Sequence, residues 1–588
     1  MIYINGTILF TCNVLTLFIP ARLLFLSVTK TKNFSIVLLI SLMLLQAGCV
    51  SDKVEDDNIV TTYQKFLAEQ GPQQRVDTEG KDLKNPLGIL QPTPKEPLPE
   101  LKVVKDAVSG KKIVNLTIEQ AIARALAESP DIRTVSYEPS IAKQEITKAA
   151  AEFDPTAFGS LNSNQEDNPI NSIFQPGQSD VRSLDAGIKQ RLVTGSEWSF
   201  SYALTRSWDD LVGRTLSTRY EPILAFQIRQ PLLRDAWEKV NLAGVNISRL
   251  NYEIALLGFR QRAEDVSTEV ITAYWLLLQT RRDIDIQQAL LDRTLDTLKK
   301  VQGRRGIDAT AVQIKQAEAS VKARESALLQ AKKNLADAQD SLIRLMADPQ
   351  ITVLRDIEIK PITEPLLTID KIEQSEILAL AMQKNPAVQQ ARVALAIANI
   401  NINVAENQEM PRLDLVASAR MQGLDRGYGE AHDRLNSGDY TSYGVGITLE
   451  YPLGNRQREA ELLRRKLERS QVVSTLQGLV DQVAIQVKER IRKVETNHAQ
   501  IEVEKDTVEA AKAHLQALED SEEVREKLTP EFLLVKLQAQ ESLALAQRSE
   551  IRAIADFNTS VTQLAQITGT VLELHRVRNA LPITTSQK

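Results

Sequence analysis

The side chains best suited to chemistry are scarce in this chain and poorly spaced for it. Four histidines occur, His432, His498, His514 and His575. They form no HExxH pair and no other ligand-spaced couple, so neither a zinc hydrolase nor a histidine metal centre is indicated. Six methionines are too few for a copper relay, and no glycine-rich phosphate loop precedes a helix. The two cysteines, Cys12 and Cys49, both lie near the N-terminus, which leaves the rest of the chain without a disulfide or a thiolate metal site. No nucleophile–base constellation emerges. The expectation is therefore no enzyme, no cofactor and no metal. A net charge of −5 gives no reason to expect nucleic acid as a partner.

One cysteine does have a chemical setting. Lys30 and Lys32 precede the apolar run Phe34 to Leu45, which is followed by Gln46, Ala47, Gly48 and Cys49. A basic region, an apolar run too short to span a bilayer and then small residues is secretory design. Ala47 and Gly48 before Cys49 resemble a bacterial lipoprotein cleavage box, although Gln46 stands where that box has Leu. The resemblance makes Cys49 the lipid-attachment residue, and Val50 after it favours the outer membrane. An ordinary signal peptide with a chance cysteine is the other reading. The apolar stretch Ile2 to Val28 suggests a true start near Val28.

The elements around these residues are repetitive. Pro86, Pro92, Pro94, Pro97 and Pro99 mark an extended tether over 49–115 after a targeting segment over 1–48. Beyond it the sequence is duplicated. "ALAESPDI" at Ala125 to Ile132 is echoed by "AMQKNPAV" at Ala381 to Val388, and the next landmarks, Pro155 and Pro411, each follow 25 residues after the proline of that motif. "QPLL" at Gln230 and "YPLG" at Tyr451 then open long helical regions. The first repeat is read as 116–350, with strands in 156–230 and long helices in 232–347. A linker covers 351–375. The second repeat covers 376–573, with strands in 411–451 and long helices in 455–569, and 574–588 is a tail.

No proline interrupts Pro231 to Pro349 or Pro452 to Pro530. Turns are predicted at Gly303 to Gly306 and just before Pro530, which suits a first helical turn. A helix from Arg456 to about Glu523 would be roughly 100 Å long at ~1.5 Å per residue and needs coiled-coil partners. The strands alternate instead. Leu413, Leu415, Ala417 and Ala419 fall on one face and Asp414, Ser418 and Arg420 on the other, while Trp198, Phe200, Tyr202 and Leu204 share a face. Period two with one apolar face means a sheet between unlike environments. A soluble sandwich gives the same pattern, but no sequence is left over to cover these strands. A closed barrel with its apolar face in lipid fits better.

With "LTIEQAIARALAESPDIR" from Leu116, "QPLLRD" from Gln230 and the run from Leu528 to Glu573, the chain resembles the TolC-like outer-membrane efflux protein family over about Leu116 to Glu573. The resemblance implies a mixed, mainly α fold. Duplicated strand–helix halves from three copies form an outer-membrane β-barrel continuous with a long periplasmic α-helical barrel, belted by a mixed region that here includes Asp348 to Glu376 and part of the tether. It implies a passive efflux or type I secretion channel, a homotrimer in outer-membrane lipid. Its partners would be a periplasmic adaptor and an inner-membrane pump of RND, ABC or MFS type. A periplasm-spanning coiled-coil structural lipoprotein is the alternative.

The family has four strands per chain, whereas six candidates occur here: Thr156 to Asn164, Leu184 to Leu192, Glu197 to Arg206, Leu224 to Gln230, Pro411 to Gln422 and Ser442 to Tyr451. Either the barrel is enlarged or a hairpin leaves the membrane. Candidate pore-lining residues are Asp414, Ser418, Arg420, Thr448 and Glu450, which alternatively only solvate the wall. Where the family's gate has paired aspartates, Val535 and Gln538 stand. Glu531 and Asp308 lie nearer the tip and are the candidate gate, or else simply cap helix N-termini. Arg304 and Arg305 are candidate adaptor contacts, or solvated turn residues.

Overall fold

The computed structural model describes residues 103–105 and 112–574, apart from 173, 212, 308, 352–356, 370–371 and 525–528. The targeting segment, Cys49 and most of the tether lie outside the described residues. The elements follow in chain order. β1 (Val103–Lys105) and β2 (Lys112–Leu116) precede α1 (Ile118–Glu128) and α2 (Pro130–Ala150). β3 (Thr156–Asp167), β4 (Gln178–Arg191), β5 (Glu197–Asp209) and β6 (Thr218–Pro231) come next. The short α3 (Glu238–Asn241) leads into α4 (Ala243–Gly303) and α5 (Ala311–Met346). The second half repeats the order from β7 (Ile357–Pro361): α6 (Gln374–Lys384), α7 (Pro386–Glu409), β8 (Arg412–Gln422), α8 (Tyr428–Ser437), β9 (Thr441–Glu450), α9 (Arg456–Val524), α10 (Pro530–Thr568) and α11 (Val571–Leu574).

Local chemistry sets the helix boundaries. Pro130 and Pro386 each open a helix at its first turn, where a missing N–H costs nothing. Thr117 and Thr310 form capping boxes with Gln120 and Gln313. Thr529 caps α10 through the Phe532 N–H. α4 ends at Gly303, where the first turn is predicted, and α9 ends at Val524, six residues before α10 opens at Pro530. With 69 residues at ~1.5 Å each, α9 spans about 100 Å.

Two sheets form. In the small one, β2 pairs antiparallel with β1 and parallel with β7, so the end of the presumed tether is a strand belonging to the belt. Its alternating Val114 and Leu116, both fully buried, pack on the helices and dock this part of the chain instead of leaving it a free tether. The large sheet has six strands in the order β3-β4-β5-β6-β8-β9, every neighbour pair antiparallel. The first four strands run longer than the sequence pattern predicts, and the missing stretches are their far ends. α8, between β8 and β9, is an element that the sequence pattern did not reveal. It buries only Ala431 and Leu435, too few apolar positions to stand out in ten mostly polar residues. Gly423 admits it, because a Cβ there would stand 2.0 Å from the Ala431 carbonyl oxygen.

The principal core lies under the belt, where α4, α5, α1 and the small sheet meet. Tyr274 of α4 is fully buried there. Its hydroxyl donates to the Leu116 carbonyl at 2.9 Å and accepts from the N–H groups of Ile362 and Thr363 at 3.0 and 2.9 Å. Arg124 of α1 forms a buried ion pair with Asp348 just beyond α5.

Candidate functional site: a two-faced wall, its seam and a helical tip

Register converts the sequence alternation into two continuous faces. Trp198 stands opposite Ile228 and Phe200 opposite Phe226; Phe226 stands opposite Ala419, and Ala419 opposite Tyr443. No protein layer covers most of this apolar face. Leu161 is 81% exposed, Val445 80% and Ile447 69%. Burying such side chains in hydrocarbon rather than water is favourable by roughly 1.5–3 kcal/mol each. The face therefore carries a large standing penalty unless something apolar covers it. Only toward the end away from the helices does α8 lie on it. There Tyr428 packs edge-on against Tyr220, and the Tyr202 hydroxyl and His432 Nε2 share a 2.6 Å hydrogen bond.

The opposite face is mainly polar, with Phe158, Ile223 and Val416 among its apolar members. Asp414, Ser418, Arg420, Thr448 and Glu450 all fall on it, since Asp414 pairs with Thr448, Ser418 with Gly444, Arg420 with Ser442 and Arg412 with Glu450. They are not equivalent. Ser418, Arg420, Thr448 and Glu450 are exposed, whereas Asp414 is buried. Arg412 Nε donates to Asp414 at 2.8 Å and Arg229 Nη1 at 3.4 Å; Arg229 also meets Glu197 at 3.0 Å. Arg412 and Arg234 approach Glu450, each at 3.8 Å. A charge ladder of alternating sign thus crosses four strands at the end nearest the helices. Each buried member keeps its charge compensated, which isolated burial would not allow. Arg229 and Glu197 escaped the sequence reading because only register brings Arg229 to Asp414, 185 positions away. Arg420 is also engaged, 3.7 Å from Glu221.

The seam between sheet and helices is built twice. After β9, Pro452 stops the ladder, Gly454 and Asn455 take positive φ, and α9 begins at Arg456. Asn455 Nδ2 donates to the Glu409 carbonyl at 3.0 Å. In the first half Asp235 and Trp237 take positive φ before α3. Asn407 of α7 holds that turn, accepting from the Asp235 N–H at 2.8 Å and donating to the Leu233 carbonyl at 3.1 Å. The β4–β5 turn at Thr194 and Gly195 tucks against the same place. Gly195 has φ 86°, and a Cβ on it would stand 2.2 Å from the Asp235 carbonyl oxygen.

At the far end of the long helices, α4, α9 and α10 meet in an apolar cluster of Val301, Phe532, Leu533 and Leu537. Lys536 and Glu522 pair within it, almost buried. The halves are also joined along the shafts. Arg324 of α5 makes a bidentate contact with Glu541 of α10 at 3.1 and 2.9 Å, which holds the Glu541 carboxyl below its usual range. Glu531 is exposed in the first turn of α10. Arg304 caps the end of α4 half-buried, and Arg305 is exposed beside it. Asp308 lies outside the described residues. Among the described residues no cluster of acids, histidines or cysteines is arranged to hold a metal, and no helix is long and apolar enough to cross a membrane.

Three comparisons bear on this geometry. Residues 377–570 match the family model for the outer membrane efflux protein. No curated protein matches the sequence significantly. Among solved structures, the outer membrane protein VceC of Vibrio cholerae is 18% identical, with 77% of this chain and 96% of that one aligned at a TM-score of 0.55. A membrane protein of Pseudomonas aeruginosa is 16% identical, with 77% and 93% aligned and a TM-score of 0.57. The CmeC outer membrane channel of Campylobacter jejuni is 13% identical, with 77% and 86% aligned and a TM-score of 0.55. At these identities the structures establish the fold alone, and the family match covers residues 377–570. The second half of the chain is thus similar to the outer membrane efflux protein family, and most of the chain shares the fold of these outer membrane proteins.

Proposed function

We propose that three copies of this chain form a passive conduit for efflux or type I secretion, with a barrel in the outer membrane and a helical tube in the periplasm. One observation carries the reading. A sheet with one polar face and one exposed apolar face runs, through a doubly built seam, into helices of about 100 Å. A structural spacer has no use for a two-faced wall. The polar face lines the lumen, with Ser418, Arg420, Thr448 and Glu450 toward water. Asp414 holds the charge ladder at the mouth where wall becomes tube. The polar outer surface of α8, with Glu430, Asp433 and Arg434, marks the aqueous rim of the apolar band.

Transport needs energy that a tube does not supply, so a periplasmic adaptor and an inner-membrane pump of RND, ABC or MFS type complete the system. Arg304 and Arg305 are the adaptor contacts proposed at the tip. Glu531 and Asp308 form the proposed gate. Threefold symmetry brings like charges together near the axis, where they repel and attract cations. Cys49 carries the lipid that tethers each copy.

The test is single-channel conductance of the purified protein in planar bilayers. A small conductance from a heat-modifiable trimer is expected, rising when Glu531→Gln and Asp308→Asn are combined. A trimer that never conducts overturns the conduit. An unchanged conductance in the double variant removes these two acids from the gate.

A further inference from the structure

We infer that the outer-membrane barrel is an eighteen-stranded one, too wide to select cargo by size, with the limit set by the helical tube and its tip. The inference rests on the trimeric conduit proposed above. The chain contributes six strands to one uninterrupted sheet. The β4–β5 hairpin, which could have folded away, sits in its interior, with β4 paired to β3 over twelve residues and β5 to β6 over twelve. Its outward side chains continue the apolar face: Leu184 stands between Leu161 and Leu204, and Ile188 lies opposite Phe200. A hairpin meant for water would not present that face.

The two edges state how the wall closes. Among the described residues β3 and β9 each have one neighbour within the chain. An open row of N–H and C=O groups in hydrocarbon costs several kcal/mol per group, so each edge must pair with another chain. β3 leads away from the seam and β9 returns to it, so β9 of one copy meets β3 of the next antiparallel, like every other pair in the sheet. The exposed outward side chains of both edges, Leu161 and Val445, then join into one apolar belt. Three copies of six strands make eighteen.

Width follows from strand geometry. At ~4.8 Å between strands and a tilt of about 40°, eighteen strands give a backbone diameter of roughly 36 Å, and twelve give about 24 Å. Side chains on the inner wall remove about 10 Å of either. The open cross-section of the wide barrel is then about threefold larger, in the range of porins that keep an aqueous channel.

The experiment uses the full trimer and two readouts. Leu161→Cys is combined in turn with Tyr443→Cys, Val445→Cys and Ile447→Cys, and oxidation is followed on non-reducing gels. Neutral polymers of graded size are added to the outer side of a planar bilayer, so that the barrel and not the tip is sized. The expected result is a cross-linked trimer in at least one pairing and a polymer cut-off near 25 Å. Deleting residues 178–209, which rejoins β3 to β6 through their far-end loops, should lower the outer cross-section about threefold. A trimer whose edges never cross-link, or whose cut-off already matches twelve strands, overturns the inference and leaves the conduit standing. Absence of any trimer overturns both.

Discussion

Replacing Val445 with Arg tests the face assignment on which the conduit depends. Val445 is the fifth of ten residues in β9, which places it near the middle of the apolar band, and 80% of it is exposed. If that exposure is to lipid, Val445→Arg puts a cation near the bilayer midplane at a cost of about 2–4 kcal/mol per chain. In the proposed trimer three copies carry the charge, so it loses on the order of 6–12 kcal/mol, enough to abolish insertion of a barrel of ordinary stability. The next residue is the control. Gly446 lies on the opposite face of the same edge strand, and a Cβ there meets nothing within 4 Å. Gly446→Arg should therefore change stability by less than about 1 kcal/mol. Folding from urea into lipid vesicles, scored by the heat-modifiable band, measures both. Equal loss from the two variants, or tolerance of Val445→Arg beside failure of Gly446→Arg, would refute the reasoning.

Three further outcomes follow from single residues. Burial pushes the Glu264 carboxyl up to about 7, against the favourable Arg260 guanidinium 3.1 Å away. Since this folded-state pKa lies above the unfolded one, the stability it brings is fully present below about pH 4.5 and is lost as pH rises through 7. Glu264→Gln should thus stabilise the protein by up to about 3 kcal/mol at pH 8 and by almost nothing at pH 4, compared in thermal melts at both. Tyr274→Phe leaves the half-buried Thr363 N–H without its acceptor, at about 1 kcal/mol, and hydrogen exchange should speed up at residues 362–369 while the large sheet is unaffected. Gly195→Ala meets both a positive φ and the Asp235 carbonyl, so a loss of about 3 kcal/mol and a lower yield of heat-modifiable protein are expected.

Periodicity and punctuation were enough for much of this. The prolines at 130, 386, 452 and 530 end or open elements where φ is fixed and an N–H is missing, and such constraints are local. Alternation in β8 and β9 assigned a face to each residue because side-chain period two holds whatever the partner strand. α8 escaped because two buried side chains in ten carry little periodic signal.

What the sequence by itself determined is therefore local: where elements begin and end, which face of each strand is apolar, and that the helices are too long to stand alone. Tertiary structure alone decided which strands adjoin, that the β4–β5 hairpin belongs to the large sheet, and that Asp414 serves Arg229 instead of facing water. The physical reason is register. A side chain's face follows from its neighbours in sequence, but its ionic partner follows from pairing between segments far apart, which many alternating strands could satisfy equally well.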